Sequence, residues 1–316
     1  MVKQVIKIVM LSVILLSCLF IVSCDNTSGP RFKGEVFTVA GLLMADKPIS
    51  LSYPIYITRS SSIEEFDPLE LFVWDADVLI KDLDTGETFS LTPSLHEFKI
   101  KYIDLAEHII QPEHHYRLEV QIPGMDSLIW AETTVPQRVE LKPDPYGINP
   151  PGTGYSFDPE TTNIIPFNQI DTNYPLVVST GNTLGIFNLW IETYCMEEFS
   201  TNLEYTNQLL QEMHPSANIE ELYNQGSLGI RRLELANRFQ SSPLEGLPGY
   251  YVVLKNYSTA FIFYGKYRVR VWVIDDNYYR FHYMVDGYLH GGVHNALGYF
   301  GSASGGELYA RIIKSN

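Results

Sequence analysis

The sequence predicts a mainly β protein. An immunoglobulin-like β-sandwich over residues 32–141 is followed by a β-rich α+β domain over residues 169–316 with one or two short helices. Short runs of β-branched and aromatic residues separated by turn signals indicate strands, and residues 116–122 alternate with period two. Apolar residues make up 45% of the 316-residue chain, which is enough for real cores in two domains.

The first 24 residues have the order of a bacterial lipoprotein signal. Two lysines precede an apolar run over residues 8–22, shorter than the roughly 20 residues of a membrane-spanning helix. Small residues then lead to Cys24. We therefore predict a signal peptide over residues 1–23, lipid attachment at Cys24 and a polar tether over residues 24–31. The alternative is an uncleaved N-terminal membrane anchor.

Charge and cysteine content restrict the partners and the crosslinks. The chain has 22 basic and 37 acidic residues and a net charge of -15, which disfavours nucleic acid. Cys18 leaves with the signal and Cys24 is acylated, so that Cys195 cannot form an intramolecular disulfide. It lies in a predicted strand, where a buried, inert thiol is expected.

The N-terminal half reads as strands joined by tight turns. Runs at residues 32–43, 49–58 and 69–81 precede a predicted hairpin turn at residues 82–87, in which Gly86 can take positive φ. The clearest hairpin joins residues 116–122 to residues 128–135. Asp82 and Asp84 do not predict a calcium site, because the glycine comes one position too early for an EF-hand loop and the distal glutamate is absent.

Residues 142–168 are rich in proline and glycine and predict a linker or a long loop. Proline cannot donate to a sheet ladder, so that a regular strand is not expected there. A spacer and a functional loop both remain open as interpretations.

The second half resumes with strands at residues 176–180 and 183–194. Residues 201–211 and 219–225 have helical patterns, and Asp275 or Asp276 occupies an N-cap position before a further helix. Three more strands and a last strand are predicted at residues 229–238, 249–256, 266–274 and 307–313, and residues 291–306 are predicted as a glycine-rich loop.

No motif predicts a catalytic, metal or cofactor site. His290 and His294 are four residues apart, but two intervening glycines indicate a loop instead of a helix. Residues 301–305 resemble a nucleophile elbow, yet the serine is displaced, and a flexible turn is expected. The protein is therefore predicted not to be an enzyme.

Aromatic residues are concentrated after residue 245 and suggest a ligand surface. Some of them are needed for a core, and the others could form a platform for sugar or peptide. The predicted surface consists of Tyr278, Tyr279, Tyr299 and Phe300.

Several motifs occur in an order that resembles a known family. They are the Cys24 start and the stretches at residues 76–80, 84–87, 115–120, 271–275 with 278–279, and 295–301. In that order they resemble a family of bacterial lipoproteins labelled as a domain of unknown function (number 4249), typical of Bacteroidetes-like bacteria. The resemblance implies an envelope lipoprotein that in some relatives accompanies an outer-membrane transporter, and it implies no catalytic residues.

These observations together predict a lipoprotein of the cell envelope, at the outer membrane more than the inner. Acylated Cys24 would hold it to the bilayer, and its body would bind a protein partner or an extracellular ligand. An exported hydrolase with an unrecognised site and a purely structural envelope component are the alternatives. A cleft with shifted ionisable groups favours the hydrolase, whereas an exposed aromatic patch favours the binding protein.

Overall fold

The computed structural model describes residues 35–61, 67–198, 203–207, 231–284 and 290–315. The predicted signal, Cys24, the tether, the predicted helix at 219–225 and most of that at 201–211 lie outside these residues. The prediction of a mainly β protein is confirmed, with seventeen strands and the helix α1 (Asp276–Tyr283) among the described residues. In the described part, no helix combines the length and apolar character needed to cross a bilayer.

Seven strands from the N-terminal part enclose one core. They are β1 (Phe37–Met44), β2 (Ile55–Arg59), β3 (Asp77–Asp82), β4 (Thr88–His96), β5 (Lys99–Ile103), β6 (His115–Gln121) and β7 (Ile129–Thr134). Strand β4 pairs with β3 through its first half and with β5 through its second half. It therefore joins one group of strands, β1, β2 and β5, to the other, β3, β6 and β7. Alternate residues such as Val78 and Ile80 are buried because successive side chains of a strand face opposite sides.

The predicted N-terminal turns are confirmed. Gly86 has φ 78° in the turn between β3 and β4, and Gly124 has φ 81° between β6 and β7. Only glycine takes such values without steric cost, which explains why a glycine occupies this position in each turn.

The remaining strands form the second half of a large mixed sheet and a separate three-stranded sheet. They are β8 (Glu140–Leu141), β9 (Ile164–Pro166), β10 (Leu176–Ser179), β11 (Ile186–Cys195), β12 (Arg232–Gln240), β13 (Tyr251–Leu254), β14 (Gly265–Ile274), β15 (His290–Gly291), β16 (Val293–His294) and β17 (Leu297–Ile313). The large sheet begins with the order β12-β11-β14-β17-β1-β2, and the small sheet has the order β13-β10-β8.

Strand β17 connects the two halves of the large sheet. Its first part pairs in parallel with β1, and from Ala303 onward it pairs antiparallel with β14. One hydrophobic core consists of buried side chains from the segment 39–135 together with Val293 and Phe300. A second core consists of other buried side chains from the segment 139–312. The final strand therefore contributes side chains to both cores.

The predictions of a loop at residues 291–306 and of a flexible turn at residues 301–305 are wrong for the residues of β17. The glycines serve close strand packing instead. A Cβ on Gly298 would lie 1.9 Å from the Val39 carbonyl oxygen, and one on Gly305 would lie 2.1 Å from the Val271 carbonyl oxygen. Glycine is common in loops, but it also occurs where two backbones approach closely.

Candidate functional site

Helix α1 begins directly after β14, and Asp275 caps it. The Asp275 Oδ1 atom accepts a hydrogen bond of 3.0 Å from the Tyr278 backbone N–H, which has no partner within the helix. The predicted N-cap is thereby confirmed. The helix packs closely on β17, because a Cβ on Gly301 would lie 2.7 Å from Asp275 Oδ1 and 2.8 Å from Tyr278 Cβ.

A chain of hydrogen bonds fixes the start of α1 to β7 and β17. The Thr133 hydroxyl lies 2.7 Å from Asp275 Oδ2 and 2.7 Å from the Ser302 hydroxyl, and Ser302 donates to the Thr134 carbonyl oxygen at 3.0 Å. The Asn277 side-chain amide donates to the Glu132 carbonyl oxygen at 2.7 Å. These contacts join residues far apart in sequence and hold the helix in one position.

Burial raises the pKa of Asp275 to about 6, although hydrogen bonds from Thr133 and from the backbone of Tyr278 act in the opposite direction. Asp275 also lines a cavity of about 460 Å³ between the N-terminal strands and α1, together with Asp276, His115 and Glu132. This is the position at which an acid–base group would be sought. Both oxygens of Asp275 are already bonded to Tyr278 and Thr133.

The underside of α1 forms a third hydrophobic cluster with the large sheet. Tyr278 is 9% exposed and packs with Trp190 and Trp272, whose ring centroids are 4.7 Å apart. The Tyr278 ring therefore serves mainly to attach the helix to the sheet, and burial raises its pKa.

Partly exposed rings run along the outside of α1 and onto β17. We define the aromatic ridge as the side chains of Tyr279, Phe281, His282, Tyr283 and Tyr299. The centroid of Tyr299 lies 4.7 Å from that of His282 and 5.1 Å from that of Phe281. Tyr279 and Tyr283 are 6.0 Å apart, and His282 lies 6.0 Å from Tyr283. The five rings are thus contiguous.

The rings of the ridge are uncharged, and they are flanked by Arg238, which lies over the Tyr279 ring at 5.1 Å, and by Glu234, which accepts from the Tyr283 hydroxyl at 3.4 Å. Partial burial lowers the pKa of His282, so that this imidazole is neutral at neutral pH. The hydroxyls of Tyr279 and Tyr299 form no hydrogen bond with another described residue. Each of them can therefore bond to an incoming group.

Of the four residues predicted as a ligand surface, Tyr279 and Tyr299 lie on the ridge, whereas Tyr278 is buried against the sheet beneath it. The Tyr278 and Tyr299 rings are 5.3 Å apart at 89°, and Tyr279 belongs to the ridge. Phe300 does not belong to this surface, because it is completely buried in the N-terminal core. Neighbouring residues of a strand point to opposite faces, so that Tyr299 and Phe300 cannot share one surface.

Sequence reasoning missed an ionic cluster on the outer face of the large sheet. Glu192 is 1% exposed and pairs with Arg232 at 2.6 Å, Arg270 at 3.3 Å and Arg268 at 3.4 Å. The alternation of Arg268 and Arg270 with buried valines marks this face in the sequence. It does not show that the carboxylate of another strand lies between the arginines.

One group of side chains in the described residues could hold a metal ion. The ligand atoms of Asp82, Asp84 and His114 lie within 4.8 Å of one another. Asp82 accepts hydrogen bonds from the backbone N–H groups of Asp84 and Thr85 and from His114 Nδ1 at 2.7 Å. Burial raises the pKa of Asp82, but these bonds outweigh it and the net pKa is lowered. The group therefore stabilises the turn between β3 and β4.

His290 and His294, for which the sequence does not predict a metal site, lie in two different short strands, β15 and β16. His290 lies at the start of β15, and His294 stacks on Trp130 with the ring centroids 3.8 Å apart. Arg117 lies over the same Trp130 ring at 4.5 Å. The His294 ring thus has a packing role on the face of β7.

The chain was compared with curated proteins and with models of protein families. Comparison with curated proteins finds no match. A family model described as "Domain of unknown function (DUF4249)" matches residues 39–307, from β1 into β17, and so includes α1 and the ridge. This confirms the resemblance to a domain of unknown function. The chain therefore belongs to the DUF4249 family.

Proposed function

We propose that this protein is a lipid-anchored envelope lipoprotein that binds a partner through the aromatic ridge and performs no chemistry on it. Acyl chains on Cys24 would attach it to the membrane, at the outer membrane more than the inner. The partner is a protein, such as an outer-membrane transporter, or an extracellular ligand. The exported hydrolase and the structural component remain the alternatives.

The observation that carries this proposal is a contiguous set of partly exposed rings on a fixed base. Aromatic rings give a large contact area at a low cost in side-chain entropy, and they are enriched at the energetically important positions of interfaces. The cap at Asp275 and the Asn277 bonds hold α1 in place before any partner arrives. Such a preorganised surface loses little entropy on binding.

The hydrolase alternative is favoured by the cavity beside Asp275, but the bonding of this carboxyl argues against it. A general base needs a lone pair directed at the proton that it removes. Asp275 Oδ1 already accepts from Tyr278, and Oδ2 lies 2.7 Å from the Thr133 hydroxyl. A positioning role for Asp275 accounts for both contacts.

Site-specific photocrosslinking in intact cells tests the ridge. A photoreactive phenylalanine analogue replaces Tyr279 in the full chain, and the same analogue at Leu105, 69% exposed in the N-terminal half, is the control. We expect a discrete adduct from position 279 that is absent from position 105 and is lost in a Tyr299→Ala background. The same adducts at both positions, or none at position 279, would contradict the proposal.

A further inference from the structure

Besides the cavity beside Asp275, the protein has a groove over the outer face of the small sheet. The groove shares no lining residue with the ridge. Val177 of β10 and Val253 of β13 are cross-strand neighbours and form its floor. Their neighbours Leu176, Val178 and Leu254 belong to the core on the other face. The floor is therefore the outward face of a sheet whose inward face is already packed.

The proline-rich segment forms one wall of this groove. Pro143, Tyr146 and Ile148 stand on one side, and Tyr174 and Pro175 stand on the other, around a volume of about 550 Å³. Ile148 is 77% exposed and Tyr146 is 50% exposed, so that this side opens to solvent. Volumes of this size with apolar and aromatic linings are typical of ligand sites.

The groove has a single charged lining residue, although the chain has a net charge of -15. Its one lining carboxylate, Asp144, accepts hydrogen bonds from the backbone N–H groups of Ile148 at 3.1 Å and Asn149 at 2.9 Å. Both oxygens are thus used to hold the wall itself. An anionic ligand would lose its hydration here and would be repelled by this carboxylate.

Besides the hydroxyls of Tyr146 and Thr172, two side-chain amides in the lining of the groove remain available. The side-chain amides of Gln169 and Asn173 form no hydrogen bond with another described residue. An amide offers a donor and an acceptor together, which matches the pair that a peptide group presents. An acyl chain or a hydrocarbon would leave both amides unpaired.

The wall also determines how a chain can bind. Strand β8 has only two residues, and Pro143 and Pro145 follow it closely, so that this edge lacks the N–H groups for an added strand. Binding must therefore depend on side-chain packing between the two walls and on the two amides.

We propose that this groove binds an extended, apolar peptide segment of a partner protein that contains no acidic residue. The apolar floor and walls contact its side chains, and Gln169 and Asn173 bond to its backbone. The proline-rich stretch is then a wall of a binding site and not a spacer. This inference concerns a different surface from the aromatic ridge and does not depend on it.

Calorimetric titration tests the groove on the full-length chain in lipid nanodiscs. The probe is a blocked heptapeptide of alternating leucine and proline, and the comparison peptide has aspartate in place of two leucines. We expect saturable binding of the first peptide only. Tyr146→Ala and Ile148→Ser should each weaken it by at least about tenfold, because both remove wall contacts at exposed positions where folding is not at risk.

Leu105→Ser, which also removes an exposed apolar side chain but lies outside the groove, is the matched control and should leave the affinity unchanged. Three results would overturn the proposal. These are no saturable binding of the apolar peptide, equal binding of the aspartate peptide, and an affinity unaffected by both groove variants. Saturable binding of the neutral dye Nile red without binding of the peptide would also overturn it, since the site would then hold a small apolar molecule.

Discussion

The side chains of Asp275, Thr133 and Ser302 form one chain of hydrogen bonds, and the number of hydrogens in this chain depends on whether Asp275 is protonated. Three short contacts connect Asp275 to Thr133, Thr133 to Ser302, and Ser302 to the Thr134 carbonyl oxygen. When Asp275 is ionised, the Thr133 hydroxyl donates to it and Ser302 donates to the Thr134 carbonyl oxygen, so that the contact between Thr133 and Ser302 has no hydrogen. A proton on Asp275 lets this carboxyl donate to Thr133, whose hydroxyl can then turn to Ser302. Burial raises the pKa of Asp275 to about 6, so that the protonated carboxyl completes the chain in one direction only below about pH 6.

The pH dependence of stability follows from this proton. The folded pKa of about 6 lies above the ordinary value of 3.8, so that the folded state holds the proton more tightly than the unfolded state. The stabilisation is complete below about pH 4 and is lost as the pH rises through about 6. Its size is on the order of 2–3 kcal/mol.

Asp275→Asn should remove this dependence. The amide can donate to Thr133 at every pH while its oxygen still accepts from Tyr278. We expect the variant to be more stable than the wild type above about pH 7 and to lose that advantage near pH 4, as measured by urea unfolding. Asp276→Asn, at the exposed next position, is the control and should keep the wild-type profile. A constant difference between Asp275→Asn and the wild type from pH 4 to 8 would refute the assignment.

At the scale of elements, β17 depends on glycine at particular positions. Gly305 and Gly306 are neighbours, but a Cβ on Gly305 would lie 2.1 Å from the Val271 carbonyl oxygen, whereas one on Gly306 would lie 3.4 Å from Leu141 Cδ1. The first contact involves backbone of the paired strand β14. It cannot be relieved by turning a side chain.

Gly305→Ala should therefore destabilise the protein by several kcal/mol, on the order of the larger core disruptions, while Gly306→Ala should change stability by less than about 1 kcal/mol. Thermal unfolding of the two variants beside the wild type measures both effects. Equal melting temperatures for the two variants would show that β14 and β17 do not approach as closely as described.

The same elements show what the sequence could predict. Period-two alternation identified β6 and β7, and the Asp275 cap identified the start of α1, because both signals are local. The glycine-rich stretch was misread, because glycine has the same appearance in a loop and in a tightly paired strand. The contacts of Asp275 with Thr133 and of Glu192 with three arginines join distant segments, and no local pattern reports such pairings.

At the scale of the whole molecule, the ridge and the groove need an orientation relative to a membrane, which the proposed anchor would supply. We expect Cys24→Ser to abolish labelling by a palmitate analogue and to move the protein into the soluble fraction, because acyl chains provide the bilayer affinity. Cys18→Ser, within the predicted signal peptide, should keep both properties. A labelled Cys24→Ser protein, or a wild-type protein that retains residues 1–23 by mass spectrometry, would disprove the anchor.

The parallel pairing of β17 with β1 has a consequence for biosynthesis. Strand β1 begins at Phe37 and β17 begins at Leu297, so that β1 cannot pair with its second neighbour until all the intervening residues have been made. Contacts of such wide sequence separation form slowly. A polypeptide truncated before β17 therefore lacks the strand that contributes side chains to both cores.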